Sequence, residues 1–152
     1  SNISANKIEE NYGEYFIYGA SGIFKKVDFY EEENDYISIV KDGAGVGRTL
    51  YCKGKSSVLG TLEIIKPRDN LNAYFLYCLL KNISFTKYVT GSTIPHIYFK
   101  DYSTEACQVP TLPEQQKIAN FLTTFDKKIE NIQAQISESK TFKKGLLQQM
   151  FV

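Results

Sequence analysis

PTLPEQQKIANFLTTFDKKIENIQAQISESKTFKKGLLQQMFV, residues 110 to 152, decides the architecture of this chain. Thr111 stands three residues before Glu114, a capping-box spacing, and Pro113 sits in the first turn, where its missing N–H costs little. Ile118, Leu122, Phe125, Ile129, Ile132 and Ile136 then follow at alternating steps of four and three, the seam of a coiled coil. The strict register would continue to Ser139 and Lys143, whereas the next apolar residues are Phe142, Leu146 and Met150, so a register slip is expected near Ser139. A continuous helix from 113 to 150 would measure about 57 Å at 1.5 Å per residue. One small domain cannot cover that length. The exposed seam is expected to seek a second long helix, from another copy of the chain or from a different subunit. A helix folded back at Gly145 or bent onto its own domain is the competing expectation.

Upstream of residue 110 the grammar differs. EYFIYG, DYISIV, TLYC, VLGTLEII and IYF are rich in aromatic and β-branched residues and read as strands, cut at short intervals by glycine and polar turns. LNAYFLYCLLKNI, residues 71 to 83, is the one helical stretch, with Leu71, Phe75, Leu79 and Ile83 four apart. The fold class expected is α+β: a mixed domain over 1–110 with a short-stranded twisted sheet and few helices, then one long C-terminal coiled-coil helix over 111–152. Tyrosine and phenylalanine together number 21, too many for all to lie in the core.

KDGAGVGRT, residues 41 to 49, raises the question of a nucleotide site. A Walker loop requires a glycine five positions before Gly54-Lys55-Ser56, and Thr49 stands there. The dinucleotide fingerprint fails at its third glycine, where Arg48 stands, and SSVLGTLEIIKP reads as strand rather than helix. The glycines are therefore expected to form a tight turn between strands.

The 152 residues, 43% of them hydrophobic, allow one domain with a core and an additional element. Cys52, Cys78 and Cys107 are widely spaced and odd in number, supporting neither a zinc site nor a disulfide framework. No metal or cofactor is expected. Without a membrane-length apolar run or signal peptide, the sequence points to a cytoplasmic protein. Net charge is only +1 but uneven: residues 1 to 40 hold three lysines against eight acids, while 41 to 100 hold nine basic side chains against Asp42, Glu63 and Asp69. Such a middle region suits phosphates, or is simply a solvated surface.

Together, GEYFIYGASGI at 13 to 23, IVKDGAGVGR at 39 to 48, GSTIPHIYFKDY at 91 to 102 and VPTLPEQQKIANFL at 109 to 122 resemble the specificity subunit of type I restriction and modification systems. The last motif is the most specific of the four. The resemblance implies a DNA-reading subunit without chemistry of its own: a target recognition domain reads one part of a bipartite sequence in double-stranded DNA. Long helices act as spacer and as platform for methyltransferase and restriction subunits. It also implies that the N-P-P-Y/F motif belongs to the methyltransferase partner, and the four prolines here include no Pro-Pro pair. Glu63 and Lys66 lack the spacing and upstream Pro-Asp of a nuclease site. Full-length members contain two recognition domains and two helices, so one of each implies a half subunit or a fragment. A half subunit would form a homodimer through its helix and read two inverted half-sites. The resemblance also implies an opening strand with tryptophan and leucine before the region matching residue 7 onward; in this tryptophan-free chain it is either trimmed away or its place is filled from elsewhere.

Two loops are the candidate DNA contacts. Lys41, Arg48, Lys53 and Lys55 flank glycines that let backbone approach phosphates, and arginine is the usual bidentate reader of guanine. Lys87, Tyr88, Thr90, Ser92, Thr93 and His96 form the second group; for each of them a structural turn fixed by Pro95 is the alternative. His96, the only histidine, has no acid or cysteine at ligand spacing, which favours a structural role. The alternative for the whole chain is a coiled-coil interaction or regulatory module that binds the methyltransferase subunit without reading DNA.

Overall fold

The computed structural model describes residues 2–8 and 13–151. Six strands form two three-stranded sheets. In the first, β1 (Tyr15–Gly19) lies between β2 (Gly22–Val27) and β5 (Ser56–Val58), antiparallel to β2 and parallel to β5. In the second, β3 (Tyr36–Val40) lies between β4 (Thr49–Cys52) and β6 (Leu62–Ile65), antiparallel to both. Both sheets feed one core: Ile17, Tyr18, Val27 and Val58 from the first meet Tyr36, Cys52 and Leu62 from the second. The hydroxyls of Tyr36 and Ser56, 2.9 Å apart, join the sheets inside it. Burial pushes the Cys52 thiol up to about 12, so it is an inert core residue.

The central strand β3 is buried throughout. Side chains alternate across a strand, so Tyr36 faces the shared core while Ile39 joins Phe85, Ile97 and Tyr102 in a second cluster. A strand covered on both faces reads as a continuous apolar run, as YISIV does. The helix expected over 71 to 83 is α1 (Ala73–Lys81). The Asn72 side chain caps it, accepting the Phe75 N–H at 2.9 Å. Phe75 and Leu76 are its buried residues, and Leu80 and Ile83 pack on the second cluster.

Three local expectations are corrected. VLGTLEII is two strands, because a turn closed by Leu62 N–H on the Leu59 carbonyl, 3.0 Å, sends β5 and β6 into different sheets. IYF is not a strand: Ile97 N–H donates to the Lys41 carbonyl at 2.9 Å, and α2 (Phe99–Tyr102) begins two residues later. GIFKKV is an additional strand, β2, whose mostly exposed side chains give it no clear apolar alternation.

The glycine loop does connect strands, joining β3 to β4. Gly43, Gly45 and Gly47 have φ of 83°, 98° and 84°, conformations that favour glycine. Gly47 is the most constrained of these three, since an added Cβ would lie 2.7 Å from the Phe85 Cβ. Gly47→Ala is expected to lower unfolding free energy by about 2–3 kcal/mol, combining left-handed strain with overpacking. Gly43→Ala, which meets open space, is expected to cost about 1 kcal/mol. Urea denaturation of the two variants checks the difference.

The chain divides into two compact units, Ser1–Gln115 and Gln116–Val152. The long helix α3 (Leu112–Met150) starts in the first and runs the length of the second. At its start the Glu114 carboxylate accepts the Thr111 N–H at 3.0 Å and the Thr111 hydroxyl at 2.7 Å. These bonds hold its carboxyl below the usual range. Gln115, only 1% exposed, makes three hydrogen bonds within the first unit. Its Oε1 accepts the Asn72 N–H at 2.9 Å, and its Nε2 donates to the Asn70 and Pro110 carbonyls at 3.1 and 2.9 Å. The helix passes through Gly145 without interruption and is about 58 Å long. That continuity removes the competing expectation of a helix folded back at Gly145. From Ile136 the three-four spacing runs through Ser139 and Lys143 onto Leu146 and Met150, which remain in register, while Phe142 stands beside the seam. Two polar residues interrupt one seam; the seam does not shift.

Candidate nucleic-acid interface

The glycine loop closes on itself through main-chain bonds: Val40 N–H to Arg48 O at 2.9 Å, Gly47 N–H to Val40 O at 2.8 Å, and Arg48 N–H to Gly45 O at 2.9 Å. The same loop is fastened to the 90–97 segment. Gly43 N–H donates to the Pro95 carbonyl at 2.9 Å, Ile97 N–H donates to the Lys41 carbonyl at 2.9 Å, and Asp42 bridges His96. The two loops selected separately from the sequence thus form one surface, with Arg48, Thr90, Ser92 and Thr93 all exposed.

The basic residues behave differently from one another. Arg48 donates through Nη1 to the Ala20 carbonyl in the β1–β2 turn at 2.6 Å, and its guanidinium lies over Gly45, 3.3 Å from where a Cβ would be. An arginine has five N–H donors, so this anchor positions the group with donors to spare. Lys41 faces Glu63 at 3.6 Å. Lys53 and Lys55 lie beyond the other end of β4, about 16 Å of extended chain from Arg48. Lys53 pairs with Asp35 at 3.1 Å and lies over the Tyr51 ring. Burial alone would raise the Asp35 carboxyl, but hydrogen bonds from Tyr51, the Gly54 N–H and Lys53 hold it below its ordinary range. Lys55 is exposed, with a left-handed φ of 52°.

Lys87, exposed, and Tyr88, half-buried, are held by one acid. Both bond the Glu105 carboxylate, which raises the Lys87 ammonium and the Tyr88 phenol and lowers Glu105. This cluster ties the turn at Phe85–Tyr88 to the segment after α2. His96 is half-buried; it exchanges two backbone bonds with Thr90, and its ring meets Tyr98 edge-on at 4.8 Å. Among the described residues no group of three or more histidine, cysteine or acidic side chains is placed to hold a metal ion. No helix among them is long and apolar enough to cross a membrane.

Four residues on or beside this surface were not selected from the sequence: exposed Ile94, Tyr98 and Phe99, and Lys100, which lies over the Tyr98 ring at 5.4 Å. The mixture of hydroxyl, aliphatic and aromatic residues in GSTIPHIYF was the available signal. On the second unit, Ile118, Phe125, Ile129, Ile132, Ile136, Phe142, Leu146 and Met150 are exposed, and Leu122 is half-buried. Ile129, Ile132 and Ile136, 49 to 55% exposed, form a continuous apolar run with no partner among the described residues.

The family described as the type I restriction modification DNA specificity domain matches residues 2–139. This chain belongs to that family. The MjaVIII specificity subunit of a type I restriction enzyme from Methanocaldococcus jannaschii is 32% identical over 145 residues, 91% of this chain and 33% of that protein. A putative type I specificity subunit of Mycoplasma pneumoniae is 29% identical over 133 residues, 82% of this chain and 43% of that protein. The crystal structure of a type I restriction-modification S subunit from M. genitalium shares the fold, with a TM-score of 0.60 at 22% identity. The match covers 86% of this chain and 36% of that one. The chain therefore spans well under half the length of these specificity subunits. Its mixed short-stranded domain followed by a long helix is the DNA specificity domain architecture.

Proposed function

We propose that this chain is the DNA-reading specificity component of a type I restriction-modification complex. The 1–110 region would read one half of a bipartite duplex target, and the 111–152 helix would serve as spacer and docking platform for methyltransferase and restriction subunits. Family membership across residues 2–139 carries the reading. The single surface built by the glycine loop and the 90–97 segment supports it, offering Arg48 and the hydroxyls of Thr90, Ser92 and Thr93 to a duplex. The chain contributes no catalytic step. Its exposed seam is covered by the same seam of a second copy, giving a homodimer that presents two identical half-site readers.

Selection from a random duplex library, with the chain alone and with a type I methyltransferase subunit, tests this. The expected product is two inverted copies of one short motif at fixed separation. Binding should weaken steeply with salt, and Arg48→Ala should reduce the salt slope by about one. A second reading, a protein-interaction module that binds the methyltransferase without reading DNA, is favoured by one observation: Lys41, Lys53 and Lys87 are already paired with Glu63, Asp35 and Glu105. Complex formation with no enriched motif and a flat salt response would establish that alternative.

A further inference from the structure

The segment Lys87 to Lys100, KYVTGSTIPHIYFK, contains two lysines and a histidine and no carboxylate. Within it, Thr90 and His96 exchange backbone hydrogen bonds of 2.9 and 2.8 Å, so residues 91 to 95 form a short closed finger. Gly91 makes the closure possible: its φ is 87°, and a Cβ there would lie 2.5 Å from the Ile94 carbonyl oxygen and 2.9 Å from His96 Nδ1. The base of the finger is fixed by the bonds from Gly43 to Pro95 and from Ile97 to Lys41. At its tip stand Ser92, Thr93 and Ile94, all exposed. Ile94 is 64% exposed, more than any other large hydrophobic side chain described in the first unit. A tightly bonded, acid-free finger therefore holds an aliphatic group out into solvent.

We propose that Ile94 is a specificity-determining residue that reads the 5-methyl group of a thymine in the major groove. The inference rests on the DNA-reading function proposed above. The major groove admits a two-stranded ribbon, and the thymine methyl is the apolar group that a base edge presents there. The Ser92 and Thr93 hydroxyls suit the polar edges of neighbouring bases. The rigidity of the finger matters because a contact this small is lost if its side chain must be ordered on binding.

The test uses the duplex most enriched in the selection, resynthesised with deoxyuridine replacing each thymine in turn. Uracil pairs identically and lacks only the methyl group. Wild-type protein is expected to bind two such duplexes, one for each inverted half-site, about fourfold more weakly, the factor given by one buried methyl at about 0.8 kcal/mol. Ile94→Ser is expected to bind thymine and uracil duplexes equally, with an unchanged melting temperature because the side chain is exposed. Uniform indifference to uracil, or a thymine preference that survives Ile94→Ser, overturns the inference and leaves the DNA-reading function standing. Equal weakening of every duplex by Ile94→Ser, without a uracil effect, makes the residue a wedge or backbone contact and also overturns it. Failure to enrich any duplex removes the proposed function, and this inference with it.

Discussion

Gln115→Leu is expected to lower the unfolding free energy of the chain by about 3–5 kcal/mol, measured by urea denaturation. The volume change is small, so the loss comes from polar groups. Three hydrogen bonds converge on one side chain that is 1% exposed, and each joins a different stretch of chain: the cap of α1, the loop before it and the connector before α3. Removing it leaves the half-buried Asn72 N–H and the Asn70 and Pro110 carbonyls without this partner, each costing about 1–3 kcal/mol where water cannot replace it. Gln115→Glu should be worse at neutral pH, because a carboxylate cannot donate to Asn70 and Pro110 and meets their oxygens instead. Its folded-state pKa would be raised above the unfolded value of about 4.3. The penalty relative to wild type is therefore smallest below that pH and grows as pH rises towards the folded pKa. The leucine variant should lack this pH-dependent component. A leucine variant within about 1 kcal/mol of wild type would show that the three bonds do not hold the junction.

The second large effect concerns the seam. Ile132→Asp is expected to convert the proposed dimer to a monomer, raising its dissociation constant by about three orders of magnitude or more. Each copy would lose a buried isoleucine and gain a charge in an apolar interface, and twofold pairing applies both penalties twice. Lys143→Ile is expected to act in the opposite direction, tightening association about tenfold, because it fills one of the two polar gaps in the register. Sedimentation equilibrium at micromolar concentration measures both, with far-UV circular dichroism reporting whether the helix persists. A monomeric wild-type chain under those conditions would remove self-pairing and leave the seam for a different subunit.

The helix was legible in the sequence because a long periodic signal survives local exceptions, although polar Ser139 and Lys143 made its apolar register read as a slip. Strands β1, β3 and β4 were legible from β-branched and aromatic runs. The split of VLGTLEII was not, since a three-residue turn between apolar stretches leaves the run looking unbroken. Strand β2 was hidden because its two adjacent lysines and edge position remove the alternation that marks a half-buried strand. Of the candidate site, the residue types and both loops could be named in advance. Their adjacency could not, because it depends on bonds such as Gly43 to Pro95, between residues far apart in the chain. The pairing of Lys41, Lys53 and Lys87 with distant acids was equally invisible.

The two loops are riveted together by peptide groups: a glycine amide to a proline carbonyl, an isoleucine amide to a lysine carbonyl. Every residue type has a main-chain carbonyl, and all but proline have an amide hydrogen. A fastening of this kind is indifferent to the side chains displayed around it. Positions such as Ser92, Thr93 and Ile94 can be rewritten without loosening the joint, so the scaffold works as a type-case in which letters are exchanged while the frame stays locked.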